Sequence, residues 1–152
     1  MRIKKTSQYM EGGASISNVY GTSQSDGYSQ EYINGIIESG SGTYFNYIKY
    51  ANGTLIQYGT ISLTPTFGTW GSLYSADVDM TSYTFPVSFV SKPVITANGT
   101  GGASGGNVWV ARVGLPAGDT SGNTSPGTIT VVRPTTWSGA VFLNITAIGK
   151  WK

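Results

Sequence analysis

Tyr44 to Ile61 reads YFNYIKYANGTLIQYGTI. Two runs rich in Tyr, Phe, Ile and Thr flank Ala51-Asn52-Gly53-Thr54. Asn-Gly between β-prone runs is the strongest short-range hairpin signal, because a type I′ turn needs positive φ at both central residues. With Asn52 and Gly53 as the turn, Ala51 faces Thr54 and Tyr50 faces Leu55. Further out, Lys49 faces Ile56, Ile48 faces Gln57 and Tyr47 faces Tyr58. One face then carries Phe45, Tyr47, Ile56 and Tyr58, and the other carries Ile48, Tyr50 and Leu55. Neither face is cleanly polar, whereas a hairpin in one small domain should be half wet. This hairpin is therefore expected to pack on its own core and on a second body, such as another copy of the chain.

Composition agrees with an all-β chain. The 152 residues include 22 Gly, and only 11% are charged. Apolar residues are 39%, fewer than in most globular chains. This length supports one core, plus an appendage. Net charge is +2, from nine basic and seven acidic residues. The bases are scattered, so nothing points to nucleic acid or an anionic membrane. No segment approaches membrane-spanning length. With no Cys and no His, thiol nucleophiles, disulfides, zinc sites and imidazole acid–base chemistry are all excluded. MRIKKTSQYMEGG has bases without a following apolar run, so it does not read as a signal peptide. A protein of this kind acting outside the cell would leave by lysis or within an assembly. Asn52, Asn98, Asn123 and Asn144 each begin an Asn-X-Ser/Thr triplet, and a chain so rich in these residues produces them by chance.

Working outward from the hairpin, residues 1–22 read as a polar, extended attachment segment that orders against a partner. Ser23 to Glu38, SQSDGYSQEYINGIIE, holds the one plausible helix, with Ser25 or Asp26 as its cap. Tyr28, Tyr32, Ile33, Ile36 and Ile37 trace an apolar stripe. Gly35 weakens that helix by about 1 kcal/mol. Two readings stay open: a helix lying on the head, or a short trimerisation stalk of residues 23–39. SGSGT at 39–43 marks the boundary to a head of residues 40–152. The head shows about seven strands with turn chemistry between them, the signature of an antiparallel sandwich or barrel. Gly-rich runs at 98–106 and 116–127 read as loops, since they lack the Lys-Ser/Thr and helix of a phosphate cradle. Pro86 and Pro93 mark strand starts or an edge.

Catalytic equipment is sparse. Asp77 and Asp79 share a strand face, but an acid–base pair for glycoside cleavage needs a specific separation across a sugar. A solvated edge is the plainer reading. Serines are many, yet no imidazole and no Gly-X-Ser-X-Gly elbow is present to activate one. Calcium would need more oxygen ligands. Exposed aromatics are the more useful class, since rings stack on sugar faces while Asp, Asn and Arg bond hydroxyls. Candidates for ligand binding are Trp70, Tyr74, Asp77, Trp109, Arg112 and Trp137. Core placement is preferred for Trp109 and Trp70. Trp137, in a turn, is the best candidate for an exposed ring. Tyr28, Tyr32, Ile33, Ile36, Tyr47 and Tyr58 are the candidates for an oligomer interface.

Read together, Asn46 to Gln57 (NYIKYANGTLIQ), Phe85-Pro86, Lys92-Pro93-Val94 and Ala147 to Lys152 (AIGKWK) resemble the carboxy-terminal head of bacteriophage and prophage tail-fibre and receptor-binding proteins. RIKKTSQ and YSQEYIN at the amino terminus resemble short phage tail proteins. The resemblance implies a homotrimeric β-sandwich at a fibre tip, similar in architecture to the H-type lectin fold. It implies a virion protein that binds a bacterial surface glycan and docks other tail or baseplate proteins through residues 1–22. The competing expectations are a purely structural decoration or baseplate protein and a small depolymerase, the latter disfavoured by the acid count. No cofactor, metal or catalytic residue is expected.

Overall fold

The computed structural model describes residues 35–102, 106–114 and 123–152. The chain divides into two compact units, Met1–Gly35 and Ile36–Lys152. Residues 1–22, and Tyr28, Tyr32 and Ile33 of the expected helix, lie outside the described residues. Ile36, Ile37 and Glu38 were expected at the helix end but form a strand, β1 (Ile36–Ser41). An Ile-Ile pair serves a helical stripe and a strand equally, and here pairing with the hairpin decides it.

Eight more strands follow among the described residues. They are β2 (Asn46–Tyr50), β3 (Thr54–Leu63), β4 (Gly68–Trp70), β5 (Leu73–Asp79), β6 (Val94–Gly101), β7 (Trp109–Val113), β8 (Thr128–Arg133) and β9 (Val141–Lys150). They form two antiparallel sheets, one ordered β1-β2-β3-β9-β6 and the other β4-β5-β8-β7. The fold is thus an all-β sandwich. Alternate residues of β3 and β9, including Leu55, Gln57 and Ile61 with Leu143, Ile145 and Ala147, are buried. They meet Ala76, Ile129 and Val131 from the other sheet, and Val108 just before β7. Phe45, Phe85 and Phe89 close one end, with ring centroids 4.9 and 5.3 Å apart.

The hairpin forms, but one residue out of the expected register. Tyr47 faces Gln57, Ile48 faces Ile56 and Lys49 faces Leu55. The loop has three residues, because Asn52 keeps a negative φ and only Gly53 is left-handed, at φ 85°. Gly53 N–H donates to the Tyr50 carbonyl at 3.0 Å, and Thr54 N–H donates to Asn52 Oδ1 at 2.9 Å. This is the three-residue alternative to the two-residue turn, a type I turn followed by a left-handed glycine. The slip changes which side chains share a face. Phe45 and Tyr47 join Leu55 on the core side, while Ile48 and Tyr50 join Ile56 and Tyr58 outside. The turn is also tied to the far end of the chain. Trp151 N–H donates to the Gly53 carbonyl at 3.0 Å, and Trp151 Nε1 donates to the Tyr50 carbonyl at 3.1 Å.

The predicted loop from Asn98 begins later than expected. β6 runs on through Gly99 and Gly101, paired to Leu143 and Val141. Glycine permits this extension, since a Cβ on Gly101 would fall 2.6 Å from the Gly106 carbonyl oxygen. Residues 81–93 form no strand. This segment is fastened to the sheet by the buried Gln57 amide, whose Nε2 donates to the Val87 carbonyl at 2.7 Å. Gln57 Oε1 accepts from Val87 N–H at 3.2 Å. Pro93 immediately precedes β6, in keeping with its reading as a strand start.

Candidate functional site

The outer face of the four-stranded sheet gathers four of the six candidate ligand residues. Asp77 on β5 faces Thr130 on β8, which faces Arg112 on β7. Arg112 Nε donates to Thr130 Oγ1 at 3.2 Å, and that hydroxyl donates to Asp77 Oδ1 at 2.5 Å. Arg112 Nη2 lies 3.6 Å from the same carboxylate oxygen. Trp109 would point away from Arg112 on a regular strand, three residues being an odd step. A bulge between Val110 and Arg112 absorbs one residue, so both side chains emerge outward. Trp70 ends β4 opposite Leu73, on the same face. Trp70 is 59% exposed and Trp109 50%, against the expectation that both are core. They stand on the two edge strands, three inter-strand spacings or about 14 Å apart. The Asp77–Thr130–Arg112 groups form the next row along this face from Trp109, whose own row holds Val132 and Ser75.

Tyr74 and Trp137 are not part of this face. Tyr74 faces Arg133 across β5 and β8, one residue out of step with Asp77 in each pleat. Trp137, expected to be the exposed ring, packs against the core cluster. Its Nε1 donates to the Ala140 carbonyl at 3.4 Å, and the Arg133 guanidinium covers its ring at 4.6 Å. Turn composition alone could not reveal that lid. Thr130 was missed by sequence reasoning, although its alternation with buried Ile129 and Val131 was the available signal.

The outer face of the five-stranded sheet is a different surface. Ile48, Ile56, Ile148 and Val94 stand in one cross-strand row over four strands. Val94 is 71% exposed, and Ile148, Tyr58 and Ile36 also lie open. Beyond the intervening Tyr58–Thr146–Thr96 row comes a polar ladder. Thr60 Oγ1 donates to Asn144 Oδ1 at 2.8 Å, and Asn144 Nδ2 donates to Asn98 Oδ1 at 2.9 Å. A shallow cavity of about 330 Å³ lies between Tyr58 and Asn144. Of the interface candidates, Ile36 and Tyr58 sit on this face. Tyr47 does not, because the register slip turns it inward over Gly40. Its hydroxyl donates to Glu38 Oε1 at 2.6 Å, beside a Lys49 Nζ–Glu38 Oε2 ion pair at 2.8 Å. The Lys49 and Tyr47 hydrogen bonds hold the Glu38 carboxyl below its usual range. The bond to Glu38 in turn pushes the Tyr47 phenol up. Among the described residues, no group of three or more His, Cys, Asp or Glu could hold a metal.

No family model and no curated protein matches the chain. Among solved structures, it is similar to a P. aeruginosa R1 pyocin fibre fragment comprising C-terminal residues 323–701. Identity is 16% and the TM-score 0.47, over 79% of this chain and 30% of that one. It is also similar to an N-truncated R1-type pyocin tail fibre, at 16% identity and a TM-score of 0.46, over 74% of this chain and 84% of that one. The chain thus spans under a third of the first fragment. A likeness at this level says nothing of what the chain does.

Proposed function

We propose that this chain is the receptor-binding head of a phage tail-fibre or baseplate protein, assembled as a homotrimer in the virion tail and without catalytic activity. The observation that carries this reading is the outward row Ile48–Ile56–Ile148–Val94, half-buried at Ile48 and Ile56 and exposed at Ile148 and Val94. An apolar stripe across four strands of a sheet that already covers a core marks an interaction surface. Closed three-fold packing would bury such a face on every copy without leaving a free one. The sequence resemblance of residues 46–57 and 147–152 to phage heads supplies the setting. Residues 1–22 would dock other tail or baseplate proteins.

The second sheet carries the ligand side of the proposal. Trp70 and Trp109 offer ring faces to sugars, and Asp77, Thr130 and Arg112 offer hydrogen bonds, so a bacterial surface glycan fits that face. Size-exclusion with light scattering on the full chain tests assembly. A monomer at micromolar concentration refutes the trimer. A glycan array tests the ligand, and a trimer that retains no glycan favours a purely structural virion protein. Sugar turnover that disappears in Asp77→Asn would contradict the non-catalytic reading.

A further inference from the structure

Two shallow cavities adjoin on the outer face of the five-stranded sheet, and Asn46 and Tyr58 line both. Asn46 on β2 faces Tyr58 on β3, so the two side chains stand in one outward row. The cavity toward β9, of about 330 Å³, is walled by Thr60 and Asn144. The cavity toward β1, of about 310 Å³, is walled by Ile36 and Ile48 among the serines of β1. Both volumes lie at the small end of ligand sites. One side is thus hydrogen-bonding and the other largely apolar. Among the described residues, no charged side chain lines either cavity. Glu38 of β1 is taken up by Lys49 and Tyr47.

The polar groups are free to serve a ligand, and some are already aimed. Asn46 is half-buried, and its side-chain amide has no hydrogen-bond partner among the described residues. Asn144 is held from both sides, by Thr60 Oγ1 at 2.8 Å and Asn98 Oδ1 at 2.9 Å. An amide has two donors and two acceptor lone pairs. Asn144 therefore keeps one N–H and one lone pair for a ligand, with its plane fixed beforehand. The Tyr58 ring, 43% exposed, stands where the two cavities join.

We infer that this pair of cavities receives a neutral acetamido sugar. Its methyl enters the Ile36–Ile48 side, its amide pairs with Asn46, its ring lies on Tyr58 and its hydroxyls meet Asn144 and Thr60. An acetamido group offers one N–H and one C=O, the complement of what a free Asn amide presents. Its methyl, withdrawn from water beside two isoleucines, adds an apolar contribution that a plain hexose lacks. A carboxylate-bearing sugar would shed its water here without a cation to replace it. The inference rests on the glycan reading above and assigns it a second contact face, on the sheet opposite Trp109 and Arg112. The site lies toward the half-buried Ile48 end of the apolar row, whereas that row is most open at Ile148 and Val94.

The test is an NMR titration of the full chain with chitotriose and, separately, cellotriose, which share a backbone and differ in the acetamido groups. Chitotriose should bind tighter by about tenfold, the scale of one amide pairing and one buried methyl together. The shifted amide signals should cluster around Asn46, Tyr58 and Asn144. Asn46→Ala should lower chitotriose to the cellotriose level with Tm unchanged, and Tyr58→Ala should weaken both trisaccharides. Equal affinity for the two, a preference that survives Asn46→Ala, or indifference to Tyr58→Ala overturns the inference. So does a shift pattern centred on Trp109 and Arg112, which would leave the glycan reading standing. Binding of neither trisaccharide also overturns it, and the glycan reading then falls only if the glycan array is blank as well. A lowered Tm in Asn46→Ala, with both affinities reduced alike, would make Asn46 a packing residue and refute the assignment.

Discussion

Replacing Gln57 with Met tests whether one buried amide holds residues 81–93 onto the sheet. Gln57 is 0% exposed and makes two hydrogen bonds to the Val87 backbone, at 2.7 and 3.2 Å. Methionine has a similar length and shape, so little cavity forms. What it removes is a donor and an acceptor, leaving Val87 N–H and C=O unpaired. Each buried orphan costs roughly 1–3 kcal/mol. Burying a thioether in place of an amide returns about 1 kcal/mol of this. The expected net loss is about 1–5 kcal/mol. For a unit of this size a loss of 1 kcal/mol lowers Tm by roughly 4 °C, so calorimetry should show a fall of about 4–20 °C. Urea unfolding should show a lower midpoint with an unchanged slope, as for a pure stability change. A loss below about 1 kcal/mol would refute the reasoning, since it would mean that water serves Val87 as well as Gln57 does.

Gly59→Ala would set a Cβ 2.2 Å from the Tyr44 carbonyl oxygen, and thermal melts should register a loss of about 2–3 kcal/mol as the backbone shifts. Ile56→Lys puts a charge in the middle of the outward apolar row, and light scattering should show the assembled mass fall to that of one subunit without loss of the β circular-dichroism signal. Trp109→Ala and Trp70→Ala should each weaken glycan retention by about tenfold, the scale of a truncated tryptophan anchor, with Tm nearly unchanged. Acidification should loosen the β1–β2 edge, read by amide exchange of residues 36–50. The folded Glu38 carboxyl is held below its ordinary 4.5, so its contribution is present above that value and fades as pH drops through the folded one. Tyr47 adds the opposite limit, since its raised phenol contributes below 10.0 and is lost as pH climbs past the folded value. Glu38→Gln should abolish the acid limb.

The sheets were legible because strand residues here alternate and glycines punctuate them. The alternating run TITVVR is β8. Register was less legible. An Asn-Gly pair permits both a two-residue and a three-residue loop, and the choice depended on whether Asn52 would accept positive φ or bond Thr54 instead. Core placement was preferred for Trp109, yet Val108 and Val110 on either side take the inward positions and leave the ring outside. The extra residue at Ala111 then brings Arg112 onto the same face. Trp137 went the other way, covered by a guanidinium from a strand that ends just before it. The role of Arg133 had no sequence signal, since one Arg at a strand end looks solvated until its neighbours are known.

The strand order also has a temporal consequence. β9 lies between β3 and β6 and pairs with both along most of its length, yet it is the last of the nine to be synthesised. Until the ribosome delivers it, each of those partners has an open ladder, and the larger sheet exists as two unjoined pieces. Nascent chains of this head are thus exposed to mispairing throughout elongation. Completion, and any meeting of copies across the isoleucine row, must wait until β9 has emerged, so production in a heterologous host should respond more to chaperone supply and slow growth than to codon choice early in the message.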